Sequence, residues 1–496
     1  MAPNDTITRL VSGRPPLSSV RNGDDSRQQR PRVVLLSTSL MAHRMLVHSN
    51  PPLVDSQTLA LRVWATSDHG EADDAGIFES FPEVRPFPEF PHNYLRRLND
   101  YAWDVRLKSP SRESMWRYVR SQRERLTVRA LKVPAAAVTA LGLEEVLERW
   151  LQTLLGRYER SSEAAARLRD FSADVLFTTS PHRYAEPAVV AEAKRLGIPT
   201  LAFITSWDNI TTKNRMPFRH DGYLVWSERM KAELLHHYPH TRRSAIYVVG
   251  APQFDAFFQA RFRETRSTFC ARTGLDPARP VILYALGSPN FLHEHAAVLY
   301  LAEKVASGEL GDSQLLVRPH PLFHDKEAAR ILASFGSSVR VQRMNIDTPA
   351  LRRSQSASDV LDWVSTFRHA DVVVNLSSTA TVDAAICDRP VVNLDFDPEP
   401  GQPRQQLIKD INHRWPHFKP VAESGGVWLV DSLADMVDAV RGYLAHPDLH
   451  HEGRRWIAEY VCGFTDGRSG ARVAEAVREF ALRHARTATA SERVRA

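Results

Sequence analysis

The sequence predicts an α/β protein made of two facing, Rossmann-like, doubly wound domains with a cleft between them. Three observations carry that expectation. Short apolar, β-rich runs alternate with helical stretches from 175 to 249, the rhythm breaks between 250 and 279, and a second alternation runs from 281 to 394. Strands separated by helices of about 10 to 15 residues mean parallel βαβ units. A chain of 496 residues is also long enough for two domains with separate cores.

The first strand is Arg32 to Leu36 (RVVLL), ending in the polar Ser37-Thr38-Ser39, and a second run is Leu61 to Ala65. From Asn93 to Tyr158 apolar residues recur three or four apart among many charges, which predicts a helical excursion. Strands follow at Val175–Thr178, Thr200–Ile204, Gly222–Trp226 and Ile246–Val249, with helices at Ala185–Leu196 and Glu228–His237. Together these make a first domain over 32–250. The segment Gly250 to Arg279 has no such rhythm and ends in Asp-Pro-Ala-Arg, so it reads as the inter-domain connection (251–279). A second domain, 280–482, then has strands Val281–Ala285, Leu315–Arg318, Val372–Asn375 and Val391–Leu394. Its helices are expected near 293–306, 326–335, 361–370, 379–387, 434–444 and 471–482. Residues 1–31, rich in Arg, Asp, Ser and Pro, read as a disordered tail, and 483–496 as a flexible one.

Composition narrows the function. Hydrophobic residues make up 43% and charged residues 25%, a globular balance. The net charge of +6 is too small for a nucleic-acid binder coated in basic surface. It is also local. Residues 91–132 carry eleven Arg or Lys against four acids, interleaved with Tyr94, Tyr101, Trp103, Met115, Trp116 and Tyr118, so this stretch is a solvated helical face or a contact for an anionic membrane surface. Cys270, Cys387 and Cys462 form neither a disulfide framework nor a cysteine metal site, and a reducing cytoplasm fits them. No apolar block has the roughly 20 residues that a membrane span requires.

Parallel sheets bind ligands at the carboxyl ends of their strands, so the loops after the strands hold the candidates. Asn375-Leu376-Ser377-Ser378-Thr379-Ala380-Thr381 joins a strand to a helix that contains Asp383. Hydroxyls gathered at a helix N-terminus, where the dipole supplies roughly half a positive charge, make a phosphate site; one of them would suffice for a plain N-cap. Arg318-Pro319-His320-Pro321 puts a guanidinium and an imidazole at another strand end, suited to clamping phosphate oxygens. Gly287-Ser288 allows close backbone approach after a third strand. No Gly-x-Gly-x-x-Gly follows a strand, which argues against a dinucleotide cofactor.

In the first domain, Thr205 to Lys213 packs Trp207, Asp208, Asn209 and Lys213 into one loop. Asp208 is a candidate general base, and Trp207, Asn209 and Lys213 are candidate walls of an acceptor cleft. His182, in the loop after the preceding strand, is the rival base. Asp395-Phe396-Asp397 has the form of a metal-binding pair but reads first as a loop, and no metal or other cofactor is expected.

The order of the SWDN loop, DGYLVWSERMKAELL, YVVGAPQFD, RPHP and NLSSTATVDAAICDRPVV resembles the GT-B superfamily over residues 32–480. The similarity is to bacterial envelope-polysaccharide enzymes: CDP-glycerol glycerophosphotransferases, Kdo transferases and UDP-GlcNAc 2-epimerases. It implies a nucleotide-diphosphate sugar donor on Gly287, Ser288, Arg318, His320, Ser377, Ser378, Thr379 and Asp383, and a glycan or lipid-linked acceptor on the first domain. It also implies a cytoplasmic enzyme, possible peripheral contact with the inner face of the membrane, and no nucleic-acid partner. Glycerophosphotransferases usually carry Asp-Tyr-Ser-Ser where this chain has Asn375-Leu376-Ser377-Ser378, so sugar transfer is the leading expectation. Glycerophosphate transfer, 2-epimerisation and a non-catalytic scaffold are the alternatives. An inverting reaction would use Asp208 or His182 as base; a retaining one needs neither.

Overall fold

The computed structural model describes residues 30–495 apart from 40–41, 43–44, 47–56, 67–75, 85–88, 183–185, 289–290, 321–325 and 343–355. The expected tail over 1–31 therefore lies, but for its last two residues, outside the described residues.

Seven strands form the first sheet: β1 (Arg32–Ser37), β2 (Ala60–Ala65), β3 (Phe78–Ser80), β4 (Val175–Thr178), β5 (Thr200–Phe203), β6 (Gly222–Val225) and β7 (Ile246–Val248). Six form the second: β8 (Val281–Ala285), β9 (Gln314–Arg318), β10 (Val339–Val341), β11 (Val372–Leu376), β12 (Val391–Leu394) and β13 (Trp428–Val430). Every pairing is parallel, and the spatial orders are 3-2-1-4-5-6-7 and 10-9-8-11-12-13. This is the expected GT-B architecture of two doubly wound sheets.

The central strands are apolar throughout because helices cover both faces. Val33 sits between Leu61 and Val175, and Val373 between Leu283 and Val391, all six buried. In both orders the chain reverses direction beside its first strand, at β1/β4 and at β8/β11. A crevice opens there beyond the strand ends.

The connection is packed: its turn Pro252–Phe258 is buried up to Phe257. Phe254 packs on Trp226 of the first domain (5.9 Å) and on Trp363 of the second (6.3 Å), and Phe257 meets Trp363 at 4.7 Å. The last helix, Ser469–Arg495, replaces the flexible tail expected over 483–496 and packs on β6 and on the connection rather than on the second sheet. Phe480 fills the space over Gly222, where a Cβ would lie 2.7 Å from its ring. The Asp255 carboxylate receives the N–H groups of Ser469 (3.1 Å) and Gly470 (2.7 Å) at the point of crossing.

The helical excursion forms as expected, with helices Glu89–Leu107, Pro110–Ser114, Ser121–Ala140 and Glu144–Tyr158 and a π-helical turn at Met115–Arg120. Its membrane reading is corrected in part. Arg112 is buried against Asp104 at 2.8 Å, and Trp116 donates to the same carboxylate at 2.6 Å. Arg96, Trp103 and Trp116 are also buried. These side chains serve the bundle's own core, because each polar group needs a partner once it is out of water. The side chains of 119–129 lie outside the described residues. Among the described residues, no helix is long and apolar enough to cross a membrane.

Candidate active site

A cavity of ≈ 340 Å³ lies where strand ends of both sheets meet. The second domain lines it with Ala285–Ser288 at the end of β8, Phe291, Arg318–His320 at the end of β9, Leu376–Ala380 with Asp383 at the end of β11, Trp363 with Phe367, and Ile411, Trp415, His417 and Phe418. The first domain contributes Trp207 and Asp208 from the loop after β5. Trp207 Nε1 donates across the gap to Thr379 Oγ1 at 3.4 Å, and its carbonyl is held by Arg229 at 2.9 Å.

On the donor side, Ser378 is the N-cap of the helix Thr379–Ile386, its hydroxyl accepting from the Ala380 N–H. Ser377 donates to Asn412, and Asn412 is itself fixed by the Leu394 carbonyl and the Asp395 carboxylate. The junction is therefore braced from behind, and its helix N-terminus meets the cavity. Packing at Gly287 is tight: a Cβ there would lie 3.0 Å from Glu294 Oε2 and 3.1 Å from Leu376. Its N–H donates to the buried Glu294 carboxyl at 2.6 Å. Burial pushes that carboxyl up to about 7, against the pull of the Gly287 N–H and the Tyr284 hydroxyl.

Arg318 is the one arginine or lysine among the described lining residues, and Gln342 orients it at 2.6 Å. Burial draws it below the ordinary arginine range, opposed by the carboxylate of Asp383. Burial also lowers His320 to about 4, so at neutral pH it offers a neutral imidazole rather than a second positive charge.

On the first-domain side, burial alone would raise the Asp208 carboxyl. Lys213, His417 and hydrogen bonds from Ser206 and Thr212 outweigh that effect and hold it below the usual carboxylate range. Lys213 is exposed and Asn209 buried in the one-turn helix Asn209–Thr212; neither lines the cavity. His182 is outside it as well, its carbonyl 3.5 Å from Arg96 and its ring close enough to depress His220. The Asp395-Phe396-Asp397 pair is consumed internally. Asp395 binds Lys409, His413 and Asn412, while Asp397 receives the N–H groups of Glu399 and Arg404. Among the described residues, no group of three or more His, Cys, Asp or Glu is placed to hold a metal ion.

Sequence reasoning missed Trp363, Trp415, His417 and Glu294. The run Trp415-Pro416-His417-Phe418 is itself a signal: three aromatic rings around a proline, in a segment that does not alternate.

The family model for CDP-Glycerol:Poly(glycerophosphate) glycerophosphotransferase matches residues 193–479, more than half of the chain. The chain belongs to that family. Every residue lining the cavity falls inside the matched segment. The chain is also similar in fold to solved structures. The Staphylococcus aureus MnaA structure with UDP is 9% identical, at a TM-score of 0.53 over 91% of this chain and 96% of that one. The Neisseria meningitidis UDP-GlcNAc 2-epimerase bound to UDP-GlcNAc is 12% identical, at 0.52 over 90% and 100%. At such identities the likeness is one of fold. A comparison with curated protein sequences finds no match.

Proposed function

We propose that this glycerophosphotransferase-family protein moves a group from a nucleotide diphosphate donor to a hydroxyl on a growing envelope polymer. One observation carries the reading: a single cavity unites the helix N-terminus at Ser378–Thr379, the Gly287–Ser288 turn and Arg318 with Trp207 and Asp208 of the opposite domain. The first three suit a diphosphate, since backbone N–H groups and a fixed guanidinium stabilise charge growing on a leaving nucleotide. The family favours CDP-glycerol as donor and poly(glycerophosphate) as acceptor. Transfer of a sugar is the second reading. It is supported by the indole rings of Trp207, Trp363 and Trp415 in the walls, which suit a pyranose face, and by Asn375-Leu376 ahead of the two serines.

Thermal shift with CDP-glycerol and with UDP-, GDP- and dTDP-linked sugars tests the donor. A ligand at a hundred times its Kd stabilises by about 2.7 kcal/mol, which for a chain of this length raises Tm by about 2 to 3 degrees. CDP-glycerol is expected to give the largest rise, and no rise with any donor would overturn the proposal. The leaving group then separates the readings. Acceptor-dependent release of CMP means glycerophosphate transfer, whereas a nucleoside diphosphate means sugar transfer.

A further inference from the structure

His417 is buried to 5% exposure yet lines the cavity, on the loop between the helices Gln405–His413 and Lys419–Ala422. Trp207 stands edge-on to its ring at 5.2 Å and Trp415 lies at 5.5 Å. Its Nδ1 is 3.1 Å from Thr211 Oγ1. That hydroxyl also lies 3.1 Å from the Asp208 carbonyl oxygen, which can only accept. With the hydroxyl proton directed to the carbonyl, Thr211 Oγ1 receives the proton on Nδ1, and the lone pair is left on Nε2. Among the described residues, Nε2 has no hydrogen-bond partner.

We propose that His417 is the base that takes the proton from the attacking acceptor hydroxyl, with Asp208 as its electrostatic partner. This rests on the group-transfer reading above. Burial lowers His417 to about 4, with Asp208 opposing and Arg229 assisting, so the ring is neutral and its lone pair available at pH 7. When the proton arrives, the negative charge of Asp208 favours the imidazolium. Asp208 is less suited to take the proton itself, because both its carboxylate oxygens already accept hydrogen bonds, from Ser206 and Thr212. The ring is held by both domains, since Thr211 is in the first and Trp415 in the second. Ser111 fixes the Thr211 carbonyl at 2.7 Å, and Ser114 holds Asp410 of the neighbouring helix at 2.6 Å, so the helical excursion braces both supports.

With CDP-glycerol the acceptor oxygen forms a new bond to the glycerol-bearing phosphorus. The phosphorus–oxygen bond to the nucleotide breaks, CMP departs with the electron pair, and the acceptor proton goes to Nε2. With a sugar donor the same proton transfer accompanies attack on the sugar carbon and departure of the nucleoside diphosphate.

The test measures acceptor-dependent CMP release by the full chain from CDP-glycerol and a poly(glycerophosphate) primer, with nucleoside diphosphate release from UDP-GlcNAc as a parallel arm. His417→Gln is expected to lower kcat about 10²- to 10⁴-fold, the usual worth of a positioned base. Its KM for the donor and its donor-induced Tm rise should stay within about threefold and a degree or so of the wild type. Imidazole added to His417→Ala should restore part of the rate. If neither His417 variant folds, Thr211→Val should lower kcat roughly tenfold by freeing the tautomer, and an unchanged rate in that variant overturns the proposal. A His417→Gln rate within threefold of wild type, or a loss of rate explained wholly by lost donor binding, also overturns it. If wild type releases neither leaving group, the group-transfer reading itself falls.

Discussion

The two sheets share one order over six strands, β7 being extra in the first, and use it differently. At the β1/β4 reversal of the first sheet the crevice is occupied: the Glu186 carboxylate is hydrogen-bonded there by Thr38 and Thr178, at the ends of the two diverging strands. At the equivalent β8/β11 reversal of the second sheet stand Gly287, which has no side chain, and Ser377, and both face the cavity. The shared order thus offers a crevice in each sheet, and a buried carboxylate stands in one of them. The first domain instead brings a single rigid loop to the cavity, tied down through Trp207 and Asp208. Topology says where a ligand can lie, and a few buried polar groups decide whether it does.

Each prediction below probes that asymmetry. Arg318→Ala removes the guanidinium facing the open crevice. It should lower turnover about 10²- to 10³-fold, as loss of one fixed electrostatic donor does elsewhere, while leaving Tm nearly unchanged. Steady-state rates with saturating donor check this, and comparable rates in mutant and wild type would return the donor to the first sheet.

A second probe is pH. His237 is lowered to about 3, and His240, His320 and His417 to about 4, mainly by burial. Their unfolded counterparts take up protons below about 6.5 while the folded ones resist. The unfolded state therefore binds more protons in that window, and stability falls as pH drops from about 6.5 towards 4. Glu294 and Asp255, raised to about 7 and about 6, act oppositely: their contribution is present at low pH and fades as pH rises through those values. The histidines span more of the window, so Tm should decline by several degrees on acidification. A flat Tm across that range would show that the histidines are not buried as described.

Gly287→Ala tests the crevice by steric means. Its new methyl group would press on Glu294 and Leu376 and should cost about 1–3 kcal/mol in urea unfolding, with donor affinity reduced alongside. Trp207→Phe, which removes one cross-domain hydrogen bond and keeps an aromatic ring, should cost only about 0.5–1.5 kcal/mol and leave kcat within a few-fold. A collapse of donor binding in this variant would mean that the first domain contributes more to the nucleotide site than one loop.

The same contrast explains what could be read from the sequence. Val175–Thr178, Val281–Ala285 and Val391–Leu394 match their strands residue for residue. They are continuous apolar runs flanked by turn residues, and burial on both faces leaves no competing pattern. The missed β3, β10 and β13 have three residues each, and each sits at an edge of its sheet where one side lacks a partner. Ten of the thirteen candidate site residues line the cavity because strand-end loops announce themselves locally. His182, Asn209 and Lys213 had the right chemistry in the right loops, but the backbone turns them elsewhere. The aromatic run around Pro416 marks the segment of His417 but not its role, since its partner Thr211 is 206 residues away and only the folded chain joins them.

The crossing at Asp255 has a consequence for how the molecule is made. The amides that this carboxylate receives belong to residues 214 and 215 positions further along, and the helix beginning there covers β6. The first domain is therefore unfinished when its last strand leaves the ribosome, and it waits for the whole second domain to be translated before Phe480 can close over Gly222. A fragment cut at the connection would expose that face to water and to other chains, so the halves of this enzyme are partners in folding before they are partners in binding.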